Sequence, residues 1–304
     1  MGAYSGFLLM NCRKQRCPTF RISDLFFVFI YRSCYKMLRK IYYILPPSIR
    51  FLARRLYYFP RDVFCKREGL PPRGLIYTGD KEFVKQGNDW VDFFIRNCGL
   101  KKEDVFLDIG SGIGRIAIPL SNYLTGKYDG FDAIKKGIDW CTDNIANKHP
   151  NFSFHYVPLY NDLYNSTGIK ASTYRFPYKD NSYDMACAIS VFTHMTPDEV
   201  ENYLQEAYRI LKSNGYLVAT FFILDDESRK KMQGQEFDFK YDYGHYALMD
   251  KKVKSANVGY DIKYLLSYVE QCGFTIEQSI KGFWSAERNG KSAITFQDVL
   301  VLRK

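Results

Sequence analysis

The sequence lacks the cysteine and histidine spacing of a structural zinc site. Its eight cysteines form no CxxC pair, and its four histidines do not cluster with them. Zinc sites in proteins place four such ligands at short, regular intervals. We therefore predict no bound metal. Scattered thiols within apolar stretches behave as small hydrophobes and are typical of a reducing, cytoplasmic environment.

The sequence also lacks an apolar run long enough to cross a bilayer. The strongest candidate lies within residues 20–45, where the uninterrupted run extends only from Leu25 to Tyr31. A transmembrane helix needs about 20 apolar residues. No basic segment precedes the short apolar run at 7–10, so we do not expect a signal peptide.

Acidic residues are scarce in the first quarter of the chain. Residues 1–75 contain 15 Lys or Arg but only Asp24, Asp62 and Glu68, a local charge of +12. The whole chain carries +10, so residues 76–304 carry −2. A nucleic-acid channel would need a basic stripe of its own in that larger part. We therefore predict no nucleic-acid partner.

Residues 20–60 combine this positive charge with aromatic and aliphatic side chains at helical spacing. Such a basic amphipathic segment suits peripheral contact with an anionic membrane surface. It equally suits helices that cover a catalytic domain and turn their basic side chains to solvent. Pro71, Pro72 and Gly74 mark a boundary, which predicts a helical extension over 1–74 and a catalytic domain over 75–304.

After this boundary, short apolar runs alternate with amphipathic helical patterns. The alternation predicts an α/β fold, a mostly parallel sheet with helices on both faces. One predicted helix extends from Gly112 to Leu124, with a bend expected at Pro119. About 37 residues separate the fifth strand from the last helix, a length typical of a lid or substrate loop.

A glycine-rich segment follows the first predicted strand, and it is the most informative motif of the chain. The segment contains Gly110, Gly112 and Gly114, and glycines allow sharp turns and close approach of a ligand to the backbone. Nicotinamide-binding loops place Gly or Ala where this chain has Arg115. Asp108, two residues before the loop, disfavours a pyrophosphate and suits a ligand that carries an ammonium group.

A second acid, Asp132, ends the next predicted strand, which begins at Tyr128. An acid at this position can accept hydrogen bonds from both hydroxyls of a ribose. The alternative is that Asp132 only caps the helix starting at Lys135. Together with the glycine loop, the ribose interpretation predicts a nucleoside joined to an amino acid.

The chain resembles the class I S-adenosylmethionine-dependent methyltransferases, especially their bacterial small-molecule branch. The resemblance extends from about Leu70 to the C-terminus and rests on DIGSGIGR, GFDAIKKGIDWC, FPYKDNSYD and SVFTHMTPDEVENYLQEAYRILKSNGYLVATFF. It implies a Rossmann-like sheet of seven strands with the last strand antiparallel, and S-adenosyl-L-methionine as the cofactor.

The resemblance also implies roles for individual residues. The methionine end of the cofactor would contact Asp108, Gly110, Gly112 and Gly114, and the ribose would contact Asp132. Ser111, Ala133 and Ser190 complete the candidate cofactor-binding set. Many relatives have an acid after the third strand to bind adenine, but this chain has Val157, Pro158 and Leu159. The adenine contact is therefore left to backbone groups or to Asn161 or Asp162.

The methyl acceptor is expected at the carboxyl end of the fourth strand, close to His194. If the acceptor is a hydroxyl, a base must take its proton, and His194 is the first candidate, with His245 in the long loop as the second. The alternative is that His194 makes a structural hydrogen bond. Trp284 can close the cleft or pack in the core.

These expectations together predict a methyltransferase that transfers a methyl group to an oxygen atom of a small-molecule, sugar or lipid-linked acceptor. A protein of another class is the alternative: a catalytically silent scaffold with the same fold, serving as a binding or membrane-surface module.

Overall fold

Short apolar segments form the strands of two sheets in the computed structural model, which describes residues 47–65, 67–77, 82–162, 167–285 and 295–304. In chain order the strands are β1 (Phe106–Ile109), β2 (Tyr128–Asp132), β3 (Phe152–Tyr156), β4 (Tyr183–Ala188), β5 (Leu211–Phe221), β6 (Ile223–Leu224), β7 (Tyr241–Asp242), β8 (Tyr246–Leu248), β9 (Val258–Asp261), β10 (Thr275–Ile280) and β11 (Asp298–Arg303). The α-helices are α1 (Pro47–Phe64), α2 (Phe83–Cys98), α3 (Ala117–Ser121), α4 (Lys135–Cys141), α5 (Pro197–Ile210), α6 (Asp226–Lys231) and α7 (Ile262–Gln271).

The chain divides into two compact units, residues 1–83 and 84–304. The boundary predicted after residue 74 stays a prediction. Residues 20–46 of the predicted membrane-contact segment lie outside the described residues. Within the described ranges, no helix combines the length and apolar character needed to cross a bilayer.

The larger sheet has seven strands in the order β10-β11-β5-β4-β1-β2-β3. Strand β11 runs antiparallel to both of its neighbours, β5 and β10, while β1 pairs in parallel with β2 and β4. The predicted fold class is confirmed. Parallel pairing brings the carboxyl ends of β1, β2 and β4 to one edge, where ligands bind in sheets of this kind.

Both faces of this sheet are buried, as expected for a parallel sheet covered by helices. Phe106, Tyr128 and Phe152 stack across three neighbouring strands on one face. On the other face, Phe131 packs against Phe176 in the largest hydrophobic cluster. Alternate residues of each strand therefore supply two separate parts of the core.

The predicted helix from Gly112 to Leu124 is wrong in length, because α3 comprises only Ala117–Ser121. Gly112 and Gly114 have positive φ angles, which a right-handed helix does not allow, so the chain makes turns before the helix starts. Pro119 lies in the first turn of α3, where its missing N–H has no intrahelical partner to lose.

The long connection between β5 and α7 folds into a second, four-stranded sheet of order β6-β9-β8-β7. Its aromatic residues form a separate small core in which Phe222 contacts Phe237, Phe239 and Trp284. Trp284 is buried and its indole N–H donates to the carboxylate of Asp298. Trp284 therefore packs in the core of this inserted sheet.

Candidate active site

The glycine loop follows β1 directly, and its three glycines all have positive φ: +75° at Gly110, +59° at Gly112 and +80° at Gly114. L-residues rarely adopt this left-handed backbone. At Gly110 the space is also limited, since a Cβ atom would lie 2.5 Å from Cγ2 of Val191. The contact with Val191 places the loop beside the carboxyl end of β4.

Backbone hydrogen bonds fix the loop to the second strand. The amides of Gly110 and Ser111 both donate to the carbonyl of Phe131, at 2.9 and 3.0 Å. Ser111 is buried, and its hydroxyl oxygen has no hydrogen-bond partner within the described part of the chain. A buried hydroxyl in that condition is uncommon and needs an explanation, such as a ligand.

Asp132 connects the glycine loop to the end of β2. Its Oδ2 accepts from the amide of Gly112 at 2.8 Å, and its Oδ1 accepts from the amide of Ile134 at 2.7 Å. The second bond holds Ile134, the N-cap residue of α4, and the helix start has no side-chain capping hydrogen bond. Burial raises the pKa of Asp132 to about 6, against the opposing effect of the two amides. Ala133 lies between these contacts and is partly buried.

Asp108 is almost completely buried, with 2% of its surface exposed. Its Oδ2 accepts from the hydroxyl of Tyr128 at 2.7 Å, and its Oδ1 accepts from the thiol of Cys187 at 3.4 Å. Burial raises the pKa of Asp108 to about 6 despite these two donors. The carboxylate is therefore held in one orientation between β2 and β4.

A polar group joins the carboxyl ends of β4 and β5 to the amino end of β11. Ser190 has a positive φ of 61°, and its amide donates to the hydroxyl of Thr220 at 2.7 Å. The Ser190 hydroxyl donates to Oε1 of Gln297 at 2.9 Å, and Nε2 of Gln297 donates to the hydroxyl of Thr193 at 3.3 Å. Gln297 thus bridges two residues at the edge where the acceptor was predicted.

His194 is partly buried beside the inserted segment that contains Ser255. Its Nδ1 lies 2.9 Å from the carbonyl oxygen of Ser255, and a carbonyl can only accept, so the neutral ring carries its proton on Nδ1. Burial lowers the pKa of His194 to about 4, so the ring is neutral at pH 7. The structural hydrogen bond considered as the alternative role of His194 is present.

The two residues considered for adenine make contacts in the same region. The side-chain amide of Asn161 donates to the carbonyl of His194 at 3.3 Å. The carboxylate of Asp162 accepts from the amides of Lys254 and Ser255, at 2.8 and 3.0 Å. Asp162 therefore fastens the segment at 254–256 to the loop that follows β3, and Asn161 fastens the same loop to His194.

His245, the second base candidate, lies in the turn between β7 and β8. Its ring is exposed and stacks on Tyr264 of α7, with 4.8 Å between ring centroids. Its carbonyl accepts from the amide of Asp261. The contacts of His245 therefore belong to the inserted sheet and α7 and include none of the predicted cofactor residues.

Residues 107–219, which include the glycine loop, Asp132 and the carboxyl end of β4, match a protein family described as "Methyltransferase domain". This stretch belongs to the class I S-adenosylmethionine-dependent methyltransferases. The prediction of the family is confirmed, and with it the predictions of a methyltransferase enzyme and of S-adenosyl-L-methionine as cofactor. The bacterial small-molecule branch stays a prediction.

The chain is similar to several solved structures, and the first of those that follow shares its fold. The methyltransferase is 13% identical to a protein of Pyrococcus horikoshii OT3, with a TM-score of 0.51 over 76% of this chain and 94% of that chain. A S-adenosylmethionine-dependent methyltransferase from Methanosarcina mazei is 22% identical, with a TM-score of 0.47 over 69% and 96%. The 1,6-didemethyltoxoflavin-N1-methyltransferase of Burkholderia thailandensis is 16% identical, with a TM-score of 0.47 over 86% and 91%.

Several polar residues of the methyltransferase's site were not predicted from the sequence. Tyr128 and Cys187 hold Asp108, and Gln297 joins Ser190 to Thr193. Gln297 follows Ser190 by 107 residues, and no local pattern links the two. The contact between Asp108 and Cys187 was the one that strand pairing could have indicated, because β1 lies between β2 and β4 with Asp108 opposite Gly130 and Cys187.

Proposed function

We propose that this methyltransferase transfers a methyl group to an oxygen atom of a small-molecule, sugar or lipid-linked acceptor. The observation that carries the proposal is the shared edge of β1 and β2. There three glycines with positive φ and the carboxylate of Asp132, bonded to Gly112, form a cradle. Residues 76–304 carry a net charge of −2, which disfavours a nucleic-acid acceptor.

The cradle residues fit S-adenosylmethionine, which carries a carboxylate, an ammonium group and a ribose. In this proposal the backbone of Gly110, Gly112 and Gly114 approaches the methionine end, and the buried hydroxyl of Ser111 finds there the partner it lacks. Asp108 complements the ammonium group, because a fixed buried carboxylate favours a neighbouring cation. Asp132 takes the ribose, and Ala133 and Ser190 line the same site.

When bound, the cofactor supplies a methyl group on a positively charged sulfur, which is already a good electrophile. The protein then has to bind the acceptor, orient its oxygen along the line of attack and exclude water. Orientation alone can contribute about 7–11 kcal/mol to catalysis. The segment at 254–256, fastened by Asp162 and His194, covers the carboxyl end of β4 and suits both the orienting and the water-excluding roles.

For His194 the geometry favours a positioning role over the predicted role of general base. A base with a pKa of about 4 takes a hydroxyl proton poorly, and the hydrogen bond between Nδ1 and the carbonyl of Ser255 holds the ring in one orientation. We expect His194→Asn to keep much of the activity, because its amide can replace Nδ1–H, and His194→Ala to lose more. Equal losses in both variants, with an altered pH–rate profile, would instead support the base. His245 is the second candidate for the general base.

Two measurements test the proposed function. Calorimetry with adenosylhomocysteine should show binding, and its absence in the wild type would favour the silent scaffold. Cell extract incubated with the enzyme and isotopically labelled cofactor should then give a labelled small molecule or lipid, identified by mass spectrometry. A Gly110→Ala sample serves as the matched control. Label found on nucleic acid, on protein, or on nitrogen would contradict the proposed acceptor.

The cytoplasmic location is a prediction from the distribution of cysteines. Peripheral membrane contact through residues 20–60 is a further part of the proposal. Only its last third, residues 47–60, lies in the described part of the chain.

A further inference from the structure

Helix α1 exposes an apolar face along its whole length. The face consists of side chains three or four residues apart, which fall on one side of a helix. They are Ile49, Leu52, Leu56, Phe59 and Val63, and between 47% and 65% of each is exposed. Soluble proteins seldom leave a contiguous apolar surface of this kind without a partner.

The opposite side of α1 is anchored within the same unit. Tyr58 is buried, with 6% of its surface exposed. The two carboxylate oxygens of Asp62 accept from the amides of Arg73 and Gly74, at 2.7 and 2.9 Å. These contacts fix the rotation of the helix about its own axis, so that the apolar face points away from the turn at 73–75.

Positive charge lies at one edge of the apolar face and on the polar side of the helix. Arg55 precedes Phe59 by one turn at the edge of the face, and Arg61 lies on the side of α1 opposite the face; both arginines are exposed. The only acid of α1 is Asp62, which is bonded to the turn on the opposite side. Arginines beside an apolar face extend their charged groups toward anionic headgroups while their aliphatic stems stay with the face.

We propose that the apolar face of α1 docks on the surface of an anionic lipid bilayer, with the helix lying in the plane of the interface. A helix of 18 residues is about 27 Å long, and its four arginines oppose insertion across the membrane. A second copy of the chain would gain nothing from the positive charge of α1, whereas an anionic surface attracts it. This proposal rests on the membrane contact proposed above and is independent of the methyl acceptor.

The test is flotation of the full-length protein with vesicles. We expect it to float with phosphatidylcholine vesicles containing about a third phosphatidylglycerol, to float much less with pure phosphatidylcholine, and to be released by high salt. Leu56→Asp should reduce the partition coefficient at least about tenfold, because it places a carboxylate in the middle of the face. Val84→Asp, at another exposed aliphatic position, is the matched control and should bind like the wild type.

The outcomes separate the possible occupants of the face. No flotation with anionic vesicles at low salt, or equal flotation of Leu56→Asp and wild type, overturns the proposal. Light scattering that shows a dimer converted to a monomer by Leu56→Asp assigns the face to a second copy. A large fall in melting temperature in Leu56→Asp, absent in Val84→Asp, assigns it to another segment of the chain. Unchanged melting with lost flotation supports the membrane.

Discussion

Replacement of Asp132 by alanine should weaken cofactor binding severely and folding much less. Each carboxylate oxygen already accepts from one amide, Gly112 or Ile134, which leaves one lone pair on each oxygen for the two ribose hydroxyls. Hydrogen bonds of this buried kind contribute about 1–3 kcal/mol each. Two of them give about 2–6 kcal/mol, or a loss of affinity of about thirtyfold to more than ten-thousandfold.

The assay is calorimetry with two ligands. Adenosylhomocysteine carries both the ribose and the amino-acid end, whereas methylthioadenosine carries the ribose but lacks the amino-acid end. If Asp132 binds the ribose, Asp132→Ala should lose affinity for both ligands by similar factors. Asp139→Ala is the matched control, because Asp139 is an exposed acid of the neighbouring helix α4, paired with Lys135.

Two results would refute this reasoning. Affinity of Asp132→Ala within about twofold of wild type would mean that the carboxylate does not contact the ligand. Loss for adenosylhomocysteine with unchanged methylthioadenosine binding would mean that Asp132 acts only by shaping the glycine loop through Gly112. The melting temperature distinguishes both cases from unfolding. We expect a small decrease, because the lost amide bonds are offset by removal of a buried charge.

Three further predictions concern the loop, the pH dependence and the inserted sheet. Gly110→Ala should abolish measurable cofactor binding and lower the melting temperature. Its control is Gly99→Ala, which has a similar φ of +67° but open space around it and should lower the melting temperature only slightly. Equal effects of the two substitutions would contradict the steric argument. Burial raises the pKa of Asp108 and of Asp132 to about 6, so affinity for the cationic cofactor should fall as pH drops below about 6, by up to about tenfold per pH unit for each carboxyl. The same raised pKa values mean that these carboxyls make the ligand-free fold more stable as pH falls from about 6 toward 4. Across this range the ligand affinity measured by calorimetry should therefore fall while the melting temperature of the ligand-free protein rises. An affinity that does not change with pH would refute the assignment. Asp298→Asn should reduce the free energy of unfolding by about 2–3 kcal/mol. The carboxylate accepts three hydrogen bonds, and in the variant at least one of these donors would face the N–H group of the new amide. An unchanged urea midpoint would contradict this prediction.

The sequence predicted the larger sheet well because its signals are local. Apolar runs mark the buried strands, and the start of α5 was readable from Thr196, Pro197 and Glu199, which form the expected capping box. The position of Asp132 beside the glycine loop was also predictable from the sequence. Its position at a strand end, about twenty residues after the first glycine, reflects the fixed length of a strand-helix-strand unit.

Other features depended on contacts between distant segments. The strands of the inserted sheet have two to four residues, too short for periodicity to distinguish them from a loop. Gln297 and Asp162 bond to partners about ninety or more residues away, which no local pattern specifies. The length of α3 was wrong because apolar spacing was given more weight than the backbone preference of Gly112 and Gly114.

The position of β11 between β5 and β10 has a consequence for biosynthesis. A ribosome completes both flanking strands before residues 298–303 emerge, so a nascent chain has two unpaired edges with a gap between them. Because exposed edges recruit other strands, a stall shortly before residue 298 should leave a species prone to aggregation and dependent on chaperones.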